Sequence, residues 1–145
     1  MHPSYEITSA TSLGEQPMAN LLSVAPVLLV CDVVAAANYY REKLGFSYDR
    51  FWGEPANFCM VRRDNLTVML SQVDPGTKLV PNWQVVDKMW DAYFWVDNVE
   101  TLYAQYQKSG AQIDYTLHLK PYGVKEFGIQ DLDGHDIAFG QVIEE

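Results

Sequence analysis

The stretch "APVLLVCDVVAAANYYREKLGF", Ala25 to Phe46, reads as strand, cap, helix and stop. Val27 to Val30 is an apolar run of strand length. Asp32 can accept the backbone N–H groups that the first turn of a helix leaves unpaired. Val33, Ala36, Ala37, Tyr40 and Leu44 then fall on one helical face. Arg41 and Lys43 suit the negative end of the helix dipole, and Gly45 is a natural stop. A second stretch, "DAYFWVDNVETLYAQYQKSGAQ" from Asp91 to Gln112, repeats the pattern. Tyr93 to Val96 is its strand and Asn98 its cap. Val99, Leu102, Tyr103 and Tyr106 form its helical face, and Gly110 is its stop.

The repeat extends outward. "DNLTVMLSQ" from Asp64 lies over "DGHDIAFGQ" from Asp133. Asp32 and Asn98 stand 66 positions apart, Gly45 and Gly110 65, and Asp64 and Asp133 69. The pattern predicts two β-α-β-β-β modules at residues 22–73 and 88–145, following an arm at residues 1–21. Residues 74–87 form a linker; "DPGTKLVPNWQVVDKMW", Asp74 to Trp90, joins the modules through Pro75, Gly76, Pro81 and two tryptophans. The fold class is α+β.

The 145 residues are 48% hydrophobic and 13% aromatic, ample for a core. A formal net charge of −9 argues against a nucleic-acid partner and permits a cationic one. Cys31 and Cys59 have neither metal-ligand spacing nor a disulfide framework and are expected as buried free thiols. No run approaches the length needed to span a membrane, and no secretory leader pattern opens the chain. The expected compartment is therefore the cytoplasm, with no membrane partner. Nucleotide-binding glycine motifs and nucleophile elbows are missing from the sequence, and Ser71 has no predicted His–Asp partners.

"VCDVVAAANYYREKLGF", "WDAYFWVDNVETLY" and "PYGVKEFGIQDLDGHDIAFGQ" resemble the vicinal oxygen chelate superfamily, in particular its glyoxalase/bleomycin-resistance branch. The resemblance implies tandem βαβββ modules forming a curved mixed sheet around a cleft. In metal-dependent members the ligands come from the first and last strands of each module. Those positions correspond here to Ala25, Met69, Asp91 and Ala138. Two alanines and a methionine offer no donor suited to a hard divalent cation, so no metal and no cofactor are expected. The bleomycin-resistance branch sequesters an antibiotic without chemistry, usually as a homodimer with clefts at the subunit interface.

Strand alternation places Ala25, Val27 and Leu29 with Asp91, Tyr93 and Trp95 on the cleft face. Thr67, Met69 and Ser71 join them, as do Asp136, Ala138 and Gly140. Leu28, Val30, Phe94 and Val96 should pack under the helices. If Gln130 pairs with Asp136, then Gly128 faces Ala138 and Glu126 faces Gly140, and Glu126 shares the cleft face. Glu126 is then a pocket carboxylate or a rim partner of Lys125. His118 reads as a surface strand histidine or a neighbour of the cleft, and His135 as a solvated turn residue. Phe51, Trp52, Trp83, Trp90, Tyr115 and Tyr122 are walls, core or dimer interface. The candidate ligand-binding set is Leu29, Met69, Trp83, Asp91, Tyr93, Trp95, Tyr122, Glu126, Asp136 and Ala138. An aromatic, acidic cleft of this kind suits a planar aromatic or cationic ligand, with small Ala25, Ala138 and Gly140 leaving it room. The alternative is a glyoxalase-like lyase or isomerase using Asp91 and Glu126 for acid–base work, or a metal held by displaced ligands that include His118.

Overall fold

The computed structural model describes residues 17–143. Residues 1–16 of the expected arm lie outside the described residues, and Pro17 to Leu21 are exposed and without regular structure. Helix α1 spans Val33–Leu44 and helix α2 spans Val99–Ser109. Each starts at its expected cap: Asp32 accepts from the Ala35 N–H at 3.1 Å, and Asn98 from the Thr101 N–H at 3.2 Å. Each ends in a left-handed glycine, Gly45 at φ 77° and Gly110 at φ 83°. A second cap comes from afar. The Gln72 amide oxygen accepts from Val33 N–H at 2.8 Å, and that of Gln141 from Val99 N–H at 2.9 Å. The glutamine ending each repeat thus ties its last strand to the start of its own helix.

The strands are β1 (Val27–Val30), β2 (Phe51–Trp52), β3 (Phe58–Arg63), β4 (Leu66–Gln72), β5 (Ala92–Trp95), β6 (Gln112–Leu119), β7 (Val124–Gln130) and β8 (Asp136–Val142). They form two four-stranded mixed sheets, ordered β1-β4-β3-β2 and β5-β8-β7-β6. Among the described residues the parallel pairs are β1/β4 and β5/β8, the first and last strands of each module. Asp64 and Asn65 both take positive φ, the two-residue turn that matches the twist of a tight hairpin.

Each sheet has one face on a shared core and one open face. The α1 residues Val33, Ala36, Ala37, Tyr40 and Leu44 are buried, as expected, against the even-numbered residues of β1 and β4. Phe139 stacks on Phe94 and Phe127 with ring centroids 5.4 and 5.2 Å apart, and Phe94 meets Phe46 of the first module. Tyr106 Oη and Arg63 Nη1 both donate to the Leu44 carbonyl at the end of α1. The modules are therefore interlocked through one core. Among the described residues, no helix is long and apolar enough to cross a membrane.

The β7–β8 turn forms a second joint. Asp131 Oδ1 accepts the backbone N–H groups of Asp133 and His135, and Oδ2 accepts from Tyr40 of α1 at 2.8 Å. Contrary to the expectation of a solvated turn histidine, His135 is 6% exposed. Its Nε2–H donates to the Leu29 carbonyl of β1 at 2.7 Å. Its Nδ1 lies 3.4 Å from Asp91 Oδ2, an ion-pair distance too long for a well-formed hydrogen bond. Burial opposes charge on His135, but the Asp131 carboxylate, the Leu29 carbonyl and Asp91 outweigh it, and its pKa rises above the ordinary imidazole value. The Cys expectation is also half corrected. Cys59 is buried, but β1 ends at Val30 and leaves Cys31 exposed on the following bend.

Two predictions follow from the caps and the joint. Gln141→Ala leaves Val99 N–H without its partner and should cost about 1 kcal/mol in urea unfolding. His135 has a raised folded-state pKa, so its stabilisation is full below its unfolded value of about 6.5 and is lost as pH rises through the folded value. The Tm advantage of wild type over His135→Gln should shrink across that window. A pH-independent advantage would mean that His135 is not charged in the fold.

Candidate functional site

The open face of the second sheet is built around Glu126. Gln130 pairs with Asp136, Gly128 with Ala138, and Glu126 with Gly140. This register sends Phe127 and Ile129 into the core and Glu126 to the opposite face. Glu126 is nevertheless 0% exposed, because three tyrosines cover it. Tyr93 of β5 donates to Oε1 at 2.7 Å, Tyr122 from the β6–β7 turn to Oε1 at 2.9 Å, and Tyr115 of β6 to Oε2 at 2.6 Å. Trp90 Nε1–H in turn donates to Tyr115 Oη at 3.1 Å. Lys125 is not the partner of Glu126; it pairs with Glu100 at 2.6 Å.

Two glycines make the cage possible. A Cβ on Gly128 would overlap the Tyr115 ring, and one on Gly140 would overlap the Tyr93 hydroxyl. The room expected beside Gly140 for a ligand is thus filled by the protein's own phenol. Burial, then the hydrogen bond to Glu126, raises the pKa of Tyr93 and Tyr115 beyond the ordinary tyrosine range and that of Tyr122 to about 12. All three phenols remain proton donors near neutrality. Around them, Trp90 and Trp95 each lie 4.8 Å from the Tyr93 ring, and Trp95 is 64% exposed.

The other expected residues divide into two groups. Leu29 and Met69 share the open face of the first sheet with Val27, whose Cα partner is Met69. Ala25 precedes β1 and belongs to no strand. Ala138 pairs with Tyr93 on the second open face and is fully buried. Asp91, Asp136 and Trp83 gather instead at the β7–β8 turn. Asp91 accepts from Asn82 N–H at 3.1 Å and Asp136 N–H at 3.2 Å, and it meets His135. Asp136 Oδ1 accepts from Gln130, and Trp83 Nε1–H donates to the Gly134 carbonyl. Asp91 and Glu126 flank β8 four residues apart, roughly 13 Å at strand rise, so they do not form the acid–base pair considered from sequence. His118 is exposed, with Nδ1 2.7 Å from the Thr116 carbonyl.

The sequence places Tyr122 in the candidate ligand-binding set but Tyr115 only among the residues read as walls, core or dimer interface. The signal for Tyr115 was Gly128 opposite it, a glycine in mid-strand marking close approach of another group. The family's metal positions do not fit a metal here. Three carry Ala25, Met69 and Ala138, and the oxygens of Asp91 are already engaged. Among the described residues, no group of three or more His, Cys, Asp and Glu side chains could hold a metal ion.

The cage predicts that Gly128→Ala expels the Tyr115 ring and costs about 1–3 kcal/mol in chemical denaturation. The same substitution at Gly76, where a Cβ meets nothing within 4 Å, tests only the strain of its positive φ of 85°.

Among curated proteins, none matches this sequence. Several solved structures share the fold at low identity. The bleomycin-binding protein from bleomycin-producing Streptomyces verticillus, complexed with copper(II)-bleomycin, is 24% identical with a TM-score of 0.62, covering 88% of this chain and 100% of that one. TnmS3, an antibiotic binding protein from Streptomyces sp. CB03234, is 21% identical with a TM-score of 0.60, covering 83% and 97%. Lactoylglutathione lyase from Agrobacterium tumefaciens is 16% identical with a TM-score of 0.62, covering 83% and 92%. At these identities the likeness establishes fold alone, and the fold carries binders and an enzyme. Residues 20–139 match the model of one family, and the chain belongs to it: the Glyoxalase/Bleomycin resistance protein/Dioxygenase superfamily.

Proposed function

We propose that this protein is a metal-independent small-molecule-binding protein that sequesters a planar aromatic or cationic molecule on the open face of its second sheet. The observation that carries the proposal is the tyrosine-caged Glu126 beside the ring row Trp90, Tyr93 and Trp95. Aromatic faces stack planar ligands and attract cations, and a carboxylate adds to the attraction for cations. The bleomycin-binding and antibiotic-binding structures of the same fold support a sequestering role. We further propose a cytoplasmic homodimer. Val27, Leu29 and Trp95 are 56%, 48% and 64% exposed on strands at the sheet edges, and a second copy would cover them and complete the cleft.

The lyase or isomerase reading rests on Glu126 alone. Asp91 is held by two backbone donors and meets His135, and among the described residues no second carboxylate or imidazole is hydrogen-bonded to Glu126 to complete an acid–base pair.

Two measurements test the proposal. Saturable quenching of tryptophan fluorescence by a panel of planar antibiotics should identify a ligand, and Trp95→Ala should weaken its binding by about 0.5–2 kcal/mol, a few-fold to about 30-fold. Absence of quenching throughout the panel would reject sequestration of such compounds. Light scattering should give twice the 16.5 kDa chain mass for wild type and a shift toward monomer for Leu29→Glu. A monomeric wild type would remove the dimer.

A further inference from the structure

Glu126 is a buried carboxylate without a cationic partner among the described residues. Lys125 is committed to Glu100, and Lys120 stands over the Tyr115 ring at 5.2 Å from its centroid. A buried charge is ordinarily paired, because neutral hydrogen bonds replace its hydration only in part. A carboxylate offers about four lone-pair sites, and the three phenols use three.

The phenols are not equivalent. Tyr93 lies against Gly140 and between Trp90 and Trp95. Tyr115 lies against Gly128 and is held by Trp90 Nε1–H. Tyr122 has no such seat. It lies in the turn between β6 and β7, before Gly123 at φ 80°, and 58% of it is exposed, although its hydroxyl reaches a carboxylate that solvent does not touch. It is the cover of the cage.

We propose that the ligand is a planar cation carrying N–H donors, such as a ring-conjugated amidinium or aminium. One N–H displaces the Tyr122 hydroxyl from Glu126 Oε1 while the ring system stacks beside Trp95. Tyr93 and Tyr115 stay in place and hold the carboxylate. Tyr122 is then a specificity-determining residue. Only a donor that also brings positive charge gains more from Glu126 than the phenol it replaces, because it adds the attraction between opposite charges, little screened at a buried carboxylate, to the hydrogen bond that the phenol already makes. A neutral ring meets Tyr122 as a closed surface. This inference rests on the binding role proposed above and narrows its ligand class.

Matched probes test it: 9-aminoacridine, cationic with N–H donors at neutral pH; N-methylacridinium, cationic without them; and neutral acridine. Wild type should bind 9-aminoacridine at least about tenfold more tightly than either of the others. Glu126→Gln should abolish that preference. Tyr122→Phe keeps the ring but removes the hydroxyl to be displaced, so it should tighten 9-aminoacridine by several-fold, about 3- to 10-fold, and leave acridine unchanged. Because Tyr122 is largely exposed, this variant remains informative even if Glu126→Gln fails to fold. Weaker 9-aminoacridine binding in Tyr122→Phe, or equal wild-type affinity for all three probes, overturns the inference and leaves the binding role standing. No saturable binding of any probe overturns the inference, and with it the assignment of this face to planar ring systems.

Discussion

The registration of the β7–β8 hairpin is the constraint on which the rest depends. Asp131 folds the turn by accepting two of its backbone N–H groups, and Tyr40 anchors the same carboxylate to the first helix. Gln130 then faces Asp136, and every later pair is determined. A slip of one residue would exchange Glu126 with its neighbours, placing a carboxylate against Phe139 and Tyr106 and turning Phe127 outward. The cost of burying that charge without partners makes the observed register the one accessible choice. The same turn carries His135 to the Leu29 carbonyl, so one short loop sets both the site and the joint between the modules.

The two modules share a scaffold and differ on their open faces. The repeated caps, left-handed glycines and terminal glutamines keep helix and sheet in the same relation twice. On the first open face, Val27 and Leu29 accompany Thr67, Met69 and Ser71, with no carboxylate among them. The second has collected Tyr93, Trp95 and Glu126, with small residues beneath them. Metal chemistry at the family's usual place needs donors from both modules. Here the corresponding positions of the first module, Ala25 and Met69, offer none, and of those in the second, Ala138 offers none and Asp91 serves as a structural acceptor.

Much of this was legible in the sequence, because it depends on local rules. Caps, stops and helical faces follow from spacing, and the hairpin register follows from alternation about a turn. What escaped was set across long chain separations. His135 read as solvated because nothing local shows that β1 will arrive above it, 106 residues earlier in the chain. Trp83 read as a pocket wall because a linker has no periodicity, yet its indole N–H found the carbonyl of Gly134. The irregular pairing of β6 with β7, which skips positions between Ile113, Tyr115 and His118, hides Tyr115 from any strict alternation. The roles of Gln72 and Gln141 needed the parallel pairing of first and last strands before their reach to the helices had meaning.

The glycines at 128 and 140 have one more consequence. Empty binding faces commonly collapse or fill with poorly ordered water, and a ligand must then reorder them at an entropic cost. In this face, two phenols settled into glycine-lined hollows already hold the carboxylate at a fixed position. The ordering of that acceptor is completed when the chain folds rather than when a guest arrives. Under the proposed binding role the face is preorganised, and selectivity among guests reduces to the exchange of a single hydrogen bond at its rim.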